Sequence, residues 1–246
     1  MTRIVIAVFL LLALCVPPLY ASEHTPHRDD RAIAVLKSMS EYLAGLDKFA
    51  IKGTSLEDER LGNGLMVTSP IEIHLAVKRP GSLHIRQFDG RYNKDLHLHD
   101  GSLAIHDSQT GYFATATVPA GLDAGLDYAL QELAIDLPLA DLIQNDAFTR
   151  LAGTSDPLIY VTDKSRVAGV DCHQLAIRVE GADVQLWIQE GEQPLPRRMI
   201  ITSIWEGGSP RFAAVMDWDL DPKIAQGAFD FHPPDGAVQI QFEPAD

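Results

Sequence analysis

Residues 171–202 read DCHQLAIRVEGADVQLWIQEGEQPLPRRMIIT, and three adjacent amphipathic strands account for them best. Val184, Leu186 and Ile188 alternate with Gln185, Trp187 and Gln189, so an extended chain presents three aliphatic side chains on one face and longer polar or aromatic ones on the other. Gly181 and the Gly191–Pro194 stretch supply the turns. In the next strand Arg198, Ile200, Thr202 and Ile204 oppose Arg197, Met199, Ile201, Ser203 and Trp205, which leaves apolar residues on both faces. A curved antiparallel sheet of this kind needs cover on both sides over part of its area, and helices are the natural cover.

The rest of the chain supports the same architecture. Between Arg31 and Leu46 the residues Ala32, Val35, Leu36, Met39, Tyr42, Leu43 and Leu46 fall on one helical stripe. Phe49 and Ile51, then Ile71, Ile73, Leu75 and Val77, then Leu83 and Ile85 alternate with polar residues as strands with one buried face. In DLHLHDGSLAIHD, Asp95–Asp107, an Asp100-Gly101 turn sets His99 opposite Ser102, Leu98 opposite Leu103, His97 opposite Ala104 and Leu96 opposite Ile105. Strand periodicity stops after Val118. Leu122, Leu126, Leu130 and Leu133 are spaced for a helix, and Pro138 can open a second one with Leu139, Leu142 and Ile143 inward. This helical insertion, about residues 121–150, separates two strand-rich halves. Strands resume at Ile159 and recur to Val238–Phe242.

Residues 1–21 carry one cation at Arg3, an apolar run from Ile4 to Val16, a Pro17-Pro18 break and a polar exit after Ala21. That is the layout of a secretory signal, and the run is shorter than the roughly 17–25 residues a spanning helix needs. A lipid anchor through Cys15 is disfavoured, because Leu14 stands where a small residue is expected. The expectation is therefore an exported periplasmic chain, residues 22–246 forming one domain, with no stable membrane span. Twenty basic residues face 34 acidic ones, a net charge of −14, and loss of Arg3 makes it more negative still. Such a surface repels phosphate backbones and anionic headgroups, so nucleic acid is not an expected partner. Cys172 is then the one remaining thiol, so stability rests on an apolar core. His173 adjoins it, but neighbouring strand residues point to opposite faces, so the two do not form a thiol–imidazole pair.

One hairpin face carries His97, His99, His106 and Asp95. The plain reading is a hydrated strand surface; the alternative is a zinc or copper site, since imidazole and carboxylate at alternating strand positions converge on one side. DWDLDP at Asp217–Pro222 begins like a calcium loop, but Pro222 stands where glycine is needed and Ala228 where a bidentate glutamate is needed. No Gly-x-Ser-x-Gly elbow, His-Glu-x-x-His pair or phosphate-cradling glycine loop occurs, so neither catalytic residues nor a cofactor are assigned. Trp187, Trp205 and Trp218 either line a ligand cavity or fill a large core.

The segments MSEYLAGLDKFAIKG, VKRPGSLHI, HDGSLAIHDSQTGYFATATVP, ELAIDLPLADLI, VDCHQLAIRVEGADVQLWIQEGEQPLPRRMIIT and AAVMDWDL together resemble an uncharacterised family of bacterial predicted periplasmic proteins. That family, a domain of unknown function, falls in the group shaped like the lipoprotein carrier LolA and its receptor LolB. The resemblance implies an α+β fold: a strongly curved antiparallel sheet, an open half-barrel, with helices over its concave face and an apolar cavity between. It implies no functional residue to transfer, and the histidine-rich hairpin face departs from its pattern. The expected role is non-enzymatic binding of a hydrophobic ligand, such as an acyl chain, a lipid or a lipidated protein, against Leu75, Val77, Leu98, Leu126, Leu130, Leu186 and Ile188. The alternatives are a structural or sensory module, its cavity plugged by its own side chains, that docks an envelope protein, and less readily a metal-binding protein or an enzyme.

Overall fold

The computed structural model describes residues 29–135, 137, 139–153, 158–204 and 209–242. The expected leader (residues 1–21), Pro138 and Trp205 lie outside them. Strands β1 (Lys48–Arg60), β2 (Met66–Lys78), β3 (Ser82–Phe88), β4 (Asn93–His99), β5 (Ser102–Asp107) and β6 (Tyr112–Thr117) precede three short helices. Strands β7 (Leu158–Val167), β8 (Val170–Val179), β9 (Ala182–Gln189), β10 (Pro196–Ser203), β11 (Arg211–Asp219) and β12 (Val238–Ile240) follow. All twelve join one curved, unclosed sheet in the order β12-β6-β5-β4-β3-β2-β1-β11-β10-β9-β8-β7. The chain thus enters the sheet in its middle at β1 and winds outward to β6. It then crosses to the far edge at β7 and winds back to meet β1 at β11.

That crossing is where the helices lie. Helices α2 (Leu122–Leu133), α3 (Ala140–Ile143) and α4 (Ala147–Ala152) carry the chain from one edge to the other, and they bury Leu126, Leu142, Ile143 and Leu151 in the same core as Leu75, Leu98 and Leu186 of the strands. Helix α1 (Asp30–Ala44) lies beside them and buries Ala32, Leu36, Met39 and Leu43, the stripe its spacing predicts. Asp29 caps α1, accepting from the backbone N–H of Arg31 at 2.8 Å and Ala32 at 3.4 Å. The same residue ties the helix to edge strand β7: its N–H donates to Ile159 O, and its Oδ2 accepts from Val161 N.

Every ladder is antiparallel except the last. Strand β12 pairs parallel with β6, which makes the expected curved antiparallel sheet mixed at that one edge. The reason is the route: after β11 the chain runs as a strap, residues 220–237, from the middle of the sheet to the β6 edge. The direction of its final strand is set by that crossing rather than by a hairpin. The β4–β5 hairpin has the register its turn dictates, with His99 opposite Ser102 and Leu96 opposite Ile105. Asp100 at φ 49° and Gly101 at φ 75° form the two-residue connection that matches strand twist. One glycine is required by close approach: a Cβ on Gly53 of β1 would lie 2.3 Å from the Val215 carbonyl oxygen of β11.

The β1–β2 hairpin is longer than the alternation predicts, paired continuously from Lys48↔Lys78 to Arg60↔Met66. Strand β2 pairs with β3 only from Glu72 onward, so around Pro70 the outer arm has one neighbour and a missing N–H is tolerated there. Leu56, Leu61, Leu65 and Val67 on this arm are exposed.

Candidate functional site

On the concave face the alternation of β9 holds: Val184, Leu186 and Ile188 enter the main core, while Trp187 lies on the other side with Val167 and Cys172. Of the seven residues expected to meet a ligand, Val77, Leu98, Leu186 and Ile188 are at most 1% exposed and covered by the protein's own side chains. Gly125 of α2 packs so closely on Leu98 that a Cβ there would lie 2.9 Å from both its δ carbons. Leu126 is buried but borders open space, and Leu130, one helical turn on, is 50% exposed. Trp218 belongs to the filled part, its Nε1 donating to Pro196 O at 2.7 Å and its ring 5.3 Å from Phe49.

The open space is a cleft of about 660 Å³ at one end of the concave face, between the outer arm of β1, the start of β11 and the α2–α3 segment. Its apolar lining comes from Leu126, Leu130, Ile135, Leu137, Ile201 and Phe212. At Leu137 and Phe212 it meets a crevice of about 20 Å³ floored by Ile73, Leu75 and Ile85. Leu75, Leu126 and Leu130 therefore border free volume, and the other four predicted residues do not. The rim is charged: Arg150 Nη2 pairs with Asp127 at 2.6 Å, and Arg211 N donates to Asp58 at 3.1 Å. The Thr68 hydroxyl bond, 2.6 Å long, holds the Asp58 carboxyl below its ordinary range against the opposing effect of burial, and Arg211 adds to it. Sequence reasoning missed Leu137, which lies in the connection between α2 and α3 where no repeat runs, and Phe212, whose alternation with Ala214, Met216 and Trp218 gives its face but not the gap it borders.

The convex face of β3–β5 holds the histidines. They are half-buried rather than hydrated, because the strap crosses them: Phe231 sits 5.5 Å from the rings of His97 and Phe113 and 6.5 Å from His106, and Phe229 lies 6.0 Å from His99. Asp95 and His97 come together with His84 of β3, which stands opposite His97 in the ladder. His84 was legible in SLHIRQF as the polar-face residue of the strand before the hairpin, but only register shows what it faces. His99 points elsewhere, 2.9 Å from Ser82 Oγ and 3.8 Å from Asp230; His106 joins the aromatic cluster. Burial alone raises the Asp95 carboxyl, but bonds from His84 and Arg86 outweigh it and hold it below its usual range. Burial, then the neighbouring His84, pushes the His97 imidazole below its ordinary value.

Cys172 and His173 point to opposite faces, and burial raises the thiol. Neither has the geometry of a nucleophile and base. In DWDLDP, Asp217 meets Arg197 at 3.3 Å and Asp221 meets Lys48 at 2.6 Å, each with a side chain at least 90% exposed.

A curved, unclosed sheet that keeps a cleft between its concave face and its helices defines an α+β half-barrel. Residues 32–243 match the family described as Predicted periplasmic protein (DUF2092), and the chain belongs to that family of periplasmic proteins. No curated protein matches it by sequence. Among solved structures it is similar to the Mycobacterium tuberculosis lipoprotein LppX, with 9% identity, a TM-score of 0.46, and coverage of 79% of this chain and 100% of that one. The complex of Pseudomonas aeruginosa MucA/MucB gives 18% identity and a TM-score of 0.45 over 82% of this chain and 61% of that one. A LolA superfamily protein from Nitrosomonas europaea gives 11% identity and a TM-score of 0.40 over 81% and 97%. No described helix is long and apolar enough to cross a membrane.

Proposed function

We propose that this protein, exported by the leader at residues 1–21, is a non-enzymatic binder of an acyl chain, a lipid or the lipid moiety of a lipidated protein. The observation that carries the reading is the cleft beside Leu130. A leucine half exposed on a covering helix, facing Ile135, Leu137 and Phe212 across about 660 Å³, suits an apolar chain whose polar head meets the charged rim. Each methylene taken from water there contributes about 0.8 kcal/mol. The rim carries five carboxylates, on Glu57, Asp58, Glu59, Asp127 and Asp141, against the guanidiniums of Arg60, Arg150 and Arg211. That balance favours a neutral or cationic head over a free fatty-acid anion.

Native mass spectrometry of the protein purified from its own periplasm tests the reading. A co-purifying lipid is the expected result. A clean apo mass together with no binding of a neutral fluorescent acyl probe would sink it. Leu130→Asp should fold normally, because the side chain is already half exposed, and weaken probe binding about tenfold or more.

A second reading draws on the filled part of the concave face, where Val77, Leu98, Leu186 and Ile188 leave no room. In it the cleft and the exposed outer arm of β1–β2 dock an envelope protein instead of a free lipid. Pull-down from periplasm with the Leu130→Asp variant as control separates the two: a protein captured without lipid favours docking.

A further inference from the structure

We propose that His84, Asp95 and His97, on the convex face of β3 and β4, form a binding site for a divalent transition-metal ion of the zinc type. One ring nitrogen from each histidine and a carboxylate oxygen of Asp95 lie within 4.8 Å of one another. A tetrahedral zinc with bonds near 2.0–2.1 Å separates its ligand atoms by about 3.3 Å, a contraction that side-chain rotation supplies. The ladder already sets His84 opposite His97 and Arg86 opposite Asp95; the two imidazoles, now stacked at 4.1 Å, turn out of that stack to converge their in-plane lone pairs on the ion.

Three features mark this as more than a surface cluster. Asp95 is the one buried carboxylate among the described residues, a place where a charge persists only if it is paired or bound to a metal. Both bonds it accepts, from His84 Nε2 at 3.0 Å and Arg86 Nε at 2.8 Å, fall on Oδ1. The third feature is the orientation of His97. Its Nδ1 lies 3.3 Å from Phe229 O, and a carbonyl only accepts, so Nδ1 carries the proton and Nε2 keeps the lone pair a metal needs. Arg86 is the competitor: it supplies the positive charge in the metal-free protein, and with its side chain 49% exposed it withdraws to water when an ion arrives. Nitrogen and carboxylate donors in this ratio suit zinc and its neighbours rather than calcium or magnesium. Through Phe229 the bound ion also braces the strap.

Calorimetric titration of the purified protein with Zn²⁺, followed by Co²⁺ substitution, tests this. Expected are one ion per chain, loss of affinity of about tenfold or more in His84→Gln and in His97→Gln, and tighter binding in Arg86→Gln, where the competing cation is gone. Co²⁺ should give the visible absorption of a four-coordinate nitrogen and oxygen site, lost in His97→Gln. Circular dichroism without metal shows that these variants fold. Absence of binding at millimolar Zn²⁺ overturns the proposal. So does binding that survives His84→Gln but is lost in His99→Gln, which would place the ion with Asp100 and Asp230 instead.

Discussion

Arg79 shows how far a single residue can reach in this fold. It follows β2, and its guanidinium donates to Leu46 O at 3.1 Å and Leu43 O at 3.4 Å beyond α1 and within its last turn, and to Ile143 O at 2.8 Å in α3. Helix α1 has no basic residue in its own last turn, so this cation supplies the positive charge at its C-terminal end and ties it to α3 through Ile143 O. Arg79→Ala should cost about 2–3 kcal/mol in urea denaturation. Gly53→Ala forces β1 away from the Val215 carbonyl and should cost about 1–3 kcal/mol by the same measurement. His173 gives a pH dependence. Its Nδ1 is buried without a hydrogen-bond partner, 3.6 Å from Glu190 and near Lys164 and Arg31, and burial depresses the imidazole below its ordinary 6.5. The unfolded chain therefore takes the proton first, so the contribution is present above pH 6.5 and lost as pH falls below it. His173→Phe should flatten the decline in melting temperature between about pH 7 and 5.

At the scale of elements, two features depart from a simple hairpin meander. The strap, residues 220–237, makes no ladder of its own and is held by side chains: Phe229, 6% exposed, and Phe231 on the histidine face, with Lys48 bonding Asp221 at 2.6 Å. Phe229→Ala should release it, raising hydrogen exchange at Val238–Ile240 and proteolysis in 225–237 while β8 and β9 stay protected. If exchange rises across the whole sheet, the strap is part of the cooperative core. The outer arm of β1–β2 escaped the alternation because Glu57–Arg60 read as a polar run and Pro70 as an interruption. Only the absence of β3 beside β2 at that level makes proline acceptable. The β4–β5 hairpin was legible to the residue, because Asp100-Gly101 leaves one turn geometry and that turn leaves one register.

For the whole molecule, the concave face divides into a filled part and an open end, and the proposed binding role rests on the second. Filling by α1 and α2 makes Ile188→Ala a stability change of about 2–5 kcal/mol, uninformative about ligand. The open end makes occupancy a stability term instead. Protein stripped of lipid should melt several degrees below protein as purified, and readdition of a neutral acyl lipid should restore it, by RT ln(1 + [L]/Kd). An unchanged melting temperature would place any bound lipid outside the cleft. The family is one of periplasmic proteins, and a net charge of −14 repels anionic headgroups.

Local periodicity and turn chemistry alone decided that Val184, Leu186 and Ile188 share a buried face, that Cys172 and His173 cannot meet, and that a helical crossing interrupts the strands after Val118. These are properties of 2.0 and 3.6 residue repeats, carried by residues close in sequence. Tertiary structure decided which strand lies beside which, and so brought His84 to His97 and Asp95, turned β12 parallel, laid Phe229 and Phe231 over the histidines, and left Leu130 facing open space while Leu98 was sealed by Gly125. Each of those depends on a pairing register, a chain crossing or a packing gap between residues far apart in sequence, where no local pattern constrains the outcome.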